Sequence, residues 1–294
     1  MSNQTTPETS FLDIHLHVGH LYVLDDEPIT PDDLLAFMDR AGIARAALLP
    51  IESPEEAHFY VTTEYVLEVC RTNPERFIPF CNIDPRIAGR DNSREITRRL
   101  EEHARSGCKG LGEAMSGLYI DDVRMQRIYA ACGDLGLPII YHIDGERNID
   151  EQGFPRFARM LEQYPQTTFV GHAQHFWAEI SGNVTPADFS TYPKGPITPG
   201  GAIQRLFDNY PNLYADLSAG SALNALTRDR DFGYRFLERY QDRLFFGTDA
   251  CRKAAFAEMP GIVPYLQQAL QDGGLSATAY RKIAHENAER VFKL

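Results

Sequence analysis

Eight short apolar runs, each followed by an amphipathic helical stretch, restrict what this chain can fold into more than any other feature. The runs are Phe11–Val18, Ala46–Ile51, Phe77–Ile83, Cys108–Ala114, Pro138–Ile143, Thr168–His172, Leu213–Leu217 and Leu244–Asp249. Several are apolar on both faces, as in Ala46-Ala47-Leu48-Leu49 and Leu244-Phe245-Phe246. Strands of that kind belong in a parallel sheet whose two faces are covered. The helices carry their own boundaries. Thr30-Pro31-Asp32-Asp33 supplies a cap, a proline at the first helical position and an acidic first turn. Gly42 and Gly136 stand where helix ends need a left-handed residue, and Pro138 blocks any continuation. Eight strand-then-helix units predict an α/β fold of the (β/α)8, or TIM-barrel, type. A doubly wound open sheet is the alternative.

No internal repeat, low-complexity tract or linker divides the chain. Residues 1–294 are therefore expected to form one barrel domain behind a polar tail, residues 1–10. The one long irregular segment, Ala173–Gly200, follows the sixth strand. In a barrel it would be an insertion on the active rim, either a binding loop or a decoration that packs over the rim.

The first strand contains Asp13-x-His15-x-His17, and alternation puts these three side chains on one face. Other strands also end in a polar group after an apolar run. The fourth gives Glu113, the fifth His142, the sixth His172 and the eighth Asp249. In a barrel these ends converge on one rim, where catalytic residues of the fold lie. Any one of them can be a satisfied core residue. Five strands doing so together is hard to explain as packing, because buried imidazoles and carboxylates are costly without partners. A divalent metal ion is a partner that suits neutral imidazole and carboxylate alike.

Charge narrows the partners. With 29 basic and 41 acidic residues the net charge is −12, which argues against nucleic acid and anionic membranes. Cys70, Cys81, Cys108, Cys132 and Cys251 are odd in number and scattered, as free thiols of a reducing compartment would be. Residues 1–10 lack the apolar core of a secretory signal, and no stretch reaches the roughly 20 apolar residues of a membrane span. A cytoplasmic protein is expected, with homo-oligomerisation left open.

These residues resemble the amidohydrolase superfamily, in particular its amidohydrolase-related branch of metal-dependent TIM-barrel hydrolases and decarboxylases. The C-terminal stretch Tyr280–Phe292, with Asn287-Ala288-Glu289-Arg290-Val291, is similar to the ending common there. By that resemblance His15, His17, His142 and Asp249 would hold one metal ion, leaving His172 to polarise substrate or shuttle a proton. If Glu113 bridges, His142 and His172 would bind a second ion. Zinc is the expected metal, with manganese the alternative. Lys109 lies four residues before Glu113, roughly 13 Å deeper along the strand, and is discounted as a ligand. Asp13 is expected to orient one of the histidines.

The expected activity is hydrolysis of a lactone, ester or amide of a small organic acid. Asp249 would act as base and then acid, and His172 would stabilise the oxyanion. Non-oxidative decarboxylation or hydration of a carboxylic acid is the alternative, and a non-catalytic metal-binding barrel the third reading. Arg86, Arg147, Lys194, Arg228, Arg252 and Lys253 all follow strand ends. Several of them meeting at the mouth would favour a carboxylate-bearing substrate; the bland reading of each is a solvated loop charge. Trp177, with Phe176 and Tyr192, is a candidate to wall the substrate or to anchor the long segment, and His20 and His175, just beyond ligand-bearing strands, are candidates to touch substrate. Cys251 is read as a packing residue, since no activating base stands near it.

Overall fold

The computed structural model describes residues 10–21, 27–87 and 93–294; of the polar tail, residues 1–9 lie outside the described residues. Eight strands recur in the expected order: β1 (Phe11–Leu16), β2 (Ile43–Leu48), β3 (Phe77–Pro79), β4 (Leu111–Ala114), β5 (Ile139–His142), β6 (Phe169–His172), β7 (Leu213–Asp216) and β8 (Leu244–Phe245). Strands β1 to β3 form one parallel ladder and β4 to β8 another. Parallel bridges at Cys81–Leu111 and Leu16–Ala250 join the two ladders into a ring. At the second seam Ile14 donates to the Phe246 carbonyl at 3.1 Å, and Asp249 to that of His15 at 2.8 Å. These pairings close the sheet on itself among the described residues, so the barrel holds and the open-sheet alternative falls.

Among the described residues twelve α-helices follow in the connections: α1 (Pro31–Ala41), α2 (Thr63–Thr72), α3 (Ser93–Arg105), α4 (Val123–Leu135), α5 (Pro155–Gln163), α6 (Gln174–Ala178), α7 (Ala202–Asn209), α8 (Ala219–Thr227), α9 (Arg230–Arg239), α10 (Ile262–Gln271), α11 (Ala277–Arg281) and α12 (Asn287–Phe292). Helix α1 starts where its cap predicts. The Thr30 side chain accepts from the Asp33 amide, and Asp33 accepts from the Thr30 amide at 2.9 Å. Gly42 ends the helix at φ 70, a left-handed conformation that a side chain would resist.

Several strands are shorter than the apolar runs because the chain leaves the ladder to reach the rim. Strand β8 stops at Phe245, which places Asp249 on a loop at φ 52. An aspartate tolerates that left-handed geometry better than most residues. Strand β1 carries an irregularity between Asp13 and Leu16, which pair with Ala46 and Leu48. Strict alternation fails there, as it does at a bulge. The Asp13 carboxylate turns to the Thr248 hydroxyl, 2.5 Å, and to the His15 amide, 2.9 Å. It orients backbone rather than the imidazole ring expected from the sequence.

At the opposite end, Phe292 of α12 packs on Phe80 and Phe245 with ring centroids 5.2 and 5.4 Å apart. Asn287 donates to the Leu244 carbonyl at 2.9 Å, tying that helix to the start of β8. Lys109 is at this end too, on the Lys293 carbonyl at 3.0 Å, far from any role beside Glu113. The long segment after β6 is held by its own aromatics. Phe176 and Trp177 are buried, Trp177 against Phe236 with centroids 6.1 Å apart. Trp177 therefore anchors the segment, one of the two roles expected of it. Among the described residues no helix is long and apolar enough to cross a membrane.

Candidate active site

Four histidines and two carboxylates meet at the C-terminal ends of the strands. The Nε2 atoms of His15 and His17 lie 3.5 and 3.4 Å from Glu113 Oε2. They lie 3.7 and 3.4 Å from Asp249 Oδ1. From the other side, His142 Nδ1 is 2.5 Å and His172 Nε2 is 3.4 Å from Glu113 Oε1. Each oxygen of one carboxylate thus faces its own pair of imidazoles.

The remaining ring nitrogens fix the orientation of each histidine. Asp216 accepts from His15 Nδ1 at 2.7 Å through Oδ2 and from His172 Nδ1 at 2.9 Å through Oδ1. His17 Nδ1 donates to the Leu49 carbonyl at 3.1 Å. Protons so placed leave the Nε2 lone pairs of all three aimed at the carboxylates. Ser218 donates to Asp216 at 2.7 Å and completes that buried network. His142 differs, since its Nε2 lies 3.2 Å from Asp144 Oδ2 while its Nδ1 meets Glu113.

The loops hold this constellation from behind. Asn82 donates to the carbonyls of Pro50, at 2.9 Å, and Glu113, at 2.7 Å. Asn148 donates to those of Ala114, at 2.5 Å, and His142, at 2.8 Å, linking the ends of β4 and β5. Its own segment, Asn148–Ile149, pairs with Leu118–Tyr119 to clamp the two loops together.

Electrostatics follows from burying so many ionisable groups together. Burial alone would lower the His17 pKa, yet hydrogen bonds to Asp249 and Glu113 raise it to about 9. His142 likewise resists the effect of burial and rises to about 9 beside Glu113 and Asp144. Glu113 and Asp216, which burial alone would push up, are instead held well below the carboxylate range by the facing imidazoles. Asp13 goes the other way: burial dominates and raises it to about 7.

The donor set fits a divalent cation. His15 Nε2 is buried with no hydrogen-bond partner, aimed at two carboxylates. Two groups, His15–His17–Asp249 and Glu113–His142–His172, each bring one ligand atom per residue within 4.8 Å of the others. A third group, His15–His172–Asp216, uses the Nδ1 atoms already hydrogen-bonded to Asp216 and is a support rather than a site.

A cavity of about 330 Å³ opens onto this cluster, reaching His17, Glu113, His142 and Asp249. Its apolar wall is Leu21, Ile51, Phe59 and Met115, and Arg147, Gln174, Tyr192 and Arg252 contribute polar groups. Arg147 is already held by Asp144 at 2.6 Å and Glu56 at 3.1 Å. Arg252 forms no ion pair with any described residue. The other sequence candidates lie elsewhere. Arg86 pairs with Asp84 at 2.9 Å and with Glu55, outside the cavity. Lys194 is exposed, Lys253 binds Glu27 at 3.1 Å, and Arg228 is half-buried facing Asp188 and Asp229. His175 is fully buried and stacks on Phe189 at 3.4 Å, so it packs the long segment instead of touching substrate. Burial pushes the Cys251 thiol up, which keeps it protonated and unreactive.

Sequence reasoning missed Asp216, although Leu213-Tyr214-Ala215-Asp216 repeats the pattern of an apolar run ending in a polar group. Asp144, Asn82 and Asn148 had no comparable signal.

Comparison with known proteins adds the context. The family model described as Amidohydrolase matches residues 12–294. No curated protein matches the chain. Among solved structures, an uncharacterised TIM-barrel protein of Bordetella bronchiseptica superposes with TM-score 0.68 at 20% identity, covering 97% of this chain and 98% of that one. A probable 2-pyrone-4,6-dicarboxylic acid hydrolase of Acinetobacter baumannii, with citric acid bound, gives 0.61 at 12% identity, with coverage of 97% and 100%. A dihydroxybenzoic acid decarboxylase of Polaromonas with bound manganese and 2-nitroresorcinol gives 0.58 at 16% identity, with 97% of each chain covered.

Proposed function

The chain belongs to the amidohydrolase family, and on that premise we propose that it is a metal-dependent hydrolase of a lactone, ester or amide of a small, carboxylate-bearing organic acid. One observation carries the reading: Glu113 turns Oε2 to His15 and His17 and Oε1 to His142 and His172. A carboxylate divided in that way suits a bridge between two ions. His15, His17 and Asp249 would complete one set, and His142 and His172 the other. Zinc is the expected metal, with manganese, which the decarboxylase neighbour binds, as the alternative. Bound divalent ions would supply Lewis acidity, bringing the pKa of water toward neutrality and polarising the attacked carbonyl.

The chain's own groups do the rest. Asp249 stands between the buried histidines and the cavity, with its side chain 19% exposed, and accepts the proton of the attacking water. It later returns that proton to the leaving group. Arg252 meets the substrate carboxylate at the rim, and Leu21, Ile51, Phe59 and Met115 exclude water from its apolar body. Asp216 acts through the histidines. Replacing it with asparagine should weaken metal binding by about 10–100-fold, as read by chelator competition, with the circular dichroism spectrum unchanged.

A non-oxidative decarboxylase is the second reading, supported by the apolar wall beside the carboxylates and by the dihydroxybenzoic acid decarboxylase neighbour. Metal analysis combined with a substrate panel separates the readings. Two equivalents of metal per chain with turnover of an ester, lactone or amide is the expected result. Release of CO₂ from an aromatic acid would move the assignment to the decarboxylase, and full metal loading without any turnover would overturn both.

A further inference from the structure

A second cavity, of about 320 Å³, adjoins the one described above and shares Tyr192, Asp249 and Cys251 with it. Beyond those three and Thr248, whose hydroxyl donates to Asp13, its lining is apolar or small, with Ala219, Gly220 and Leu223 of α8 facing Ala255, Pro260 and Ile262. Asp249 is the one charged side chain among the described residues that line it. Two glycines shape it. A Cβ at Gly220 would meet the Tyr192 ring at 3.0 Å, and one at Gly261 would come within 2.5 Å of Leu223 Cδ2. Without side chains at these positions, Tyr192 stands as a partition between the cavities and Leu223 reaches into the second.

The two cavities differ in chemistry on either side of one carboxylate. The first holds the histidines and the cations Arg147 and Arg252; the second holds neither. We propose that the second cavity is a leaving-group subsite for an uncharged, apolar alcohol or amine. The substrate class is then an ester or amide joining a small acid to an apolar group. This rests on the hydrolase reading, which places the scissile carbonyl beside Asp249. The water oxygen bonds to the acyl carbon as the bond from that carbon to the leaving oxygen or nitrogen breaks. The water proton passes through Asp249 to the departing atom, which leaves as a neutral alcohol or amine into the apolar cavity. No oxidant or co-reactant is needed.

The test compares the methyl, n-butyl and cyclohexylmethyl monoesters of succinic acid, whose leaving alkoxides are similar in basicity. In the metal-loaded protein kcat/KM should rise along the series. Leu223→Trp, which fills the cavity from α8, should cut the cyclohexylmethyl-to-methyl ratio at least tenfold. Ala255→Phe fills it from the exposed side, and should act in the same direction if the first variant folds poorly. A ratio unchanged within twofold in both variants would overturn the subsite. Should no ester turn over, the ester substrate class fails by itself, and calorimetry with cyclohexylmethanol reads the cavity directly. Binding weakened at least tenfold in the variants then upholds an apolar subsite, and equal binding refutes it.

Discussion

Asp249→Asn abolishes turnover while leaving metal content and fold nearly intact. The asparagine keeps the volume, and it can keep the amide hydrogen bond to the His15 carbonyl that sets the backbone, at 2.8 Å. What it loses is the ability to take a proton. Removing a positioned general base costs about 10²–10⁴ in rate, and here the same group also serves as the acid. The loss should fall on kcat rather than KM, because Asp249 contributes to proton transfer and not to holding the substrate carboxylate. A compensating feature is available in the structure: His15, His17 and Glu113 would still hold the ion that loses Asp249. Kinetics on the variant with metal content measured in the same sample decides the matter. Undiminished kcat with full metal would remove Asp249 from the mechanism, whereas loss of metal would make it a ligand first and a base second.

The barrel and the histidines could be read from sequence for one reason: each informative residue interrupts an apolar run at its end. His142 follows Ile139-Ile140-Tyr141, and His172 follows Phe169-Val170-Gly171. Such a run is long enough to be a buried strand, and a polar group at its end is costly unless it is used. Asp216 obeys the same rule as Glu113 and Asp249 but was passed over. Its role needs two rings from β1 and β6 in three dimensions, at 2.7 and 2.9 Å.

Other positions were illegible for a different reason. Trp177 and His175 follow β6 closely, and proximity to a rim does not reveal which way a loop aromatic turns. Trp177 packs on Phe236, far along the chain, whereas His175 stacks on Phe189 of its own segment. Arg86 and Arg147 looked like free cations, yet each is bound to carboxylates from its own loop and from the loop after β2. Asp13 was expected from the resemblance to orient a ring, but its carboxylate turns to the Thr248 hydroxyl and the His15 amide instead. The division of labour within Glu113 was also invisible, since it depends on which oxygen faces which strand.

Metal-free and metal-loaded protein should respond to rising pH in opposite ways between about pH 7 and 9. Without metal, His17 and His142 have folded-state pKa values raised to about 9, against an unfolded value of 6.5. A raised value means the folded state holds protons more tightly, so this stabilisation is fully present below 6.5 and is lost as pH climbs through 9. Glu113 and Asp216, held low by the same imidazoles, lose their contribution only in acid. Asp13, raised to about 7, has lost its contribution once the pH passes that value. The histidines therefore dominate the window. A shift of one unit is worth about 1.4 kcal/mol, so the metal-free protein should lose on the order of a few kcal/mol, or roughly 5 °C in Tm. With metal the sign reverses, because protons compete for the Nε2 atoms of His15 and His17 and for Nδ1 of His142. Raising the pH removes that competition and tightens binding, which stabilises the folded state by mass action. Scanning calorimetry at pH 6.5, 7.5 and 9, with and without chelator, should show a gap in Tm that widens with pH. Parallel profiles would mean that protons and metal do not share these nitrogens, and the cluster would then be a hydrogen-bonded core rather than a centre built for cations.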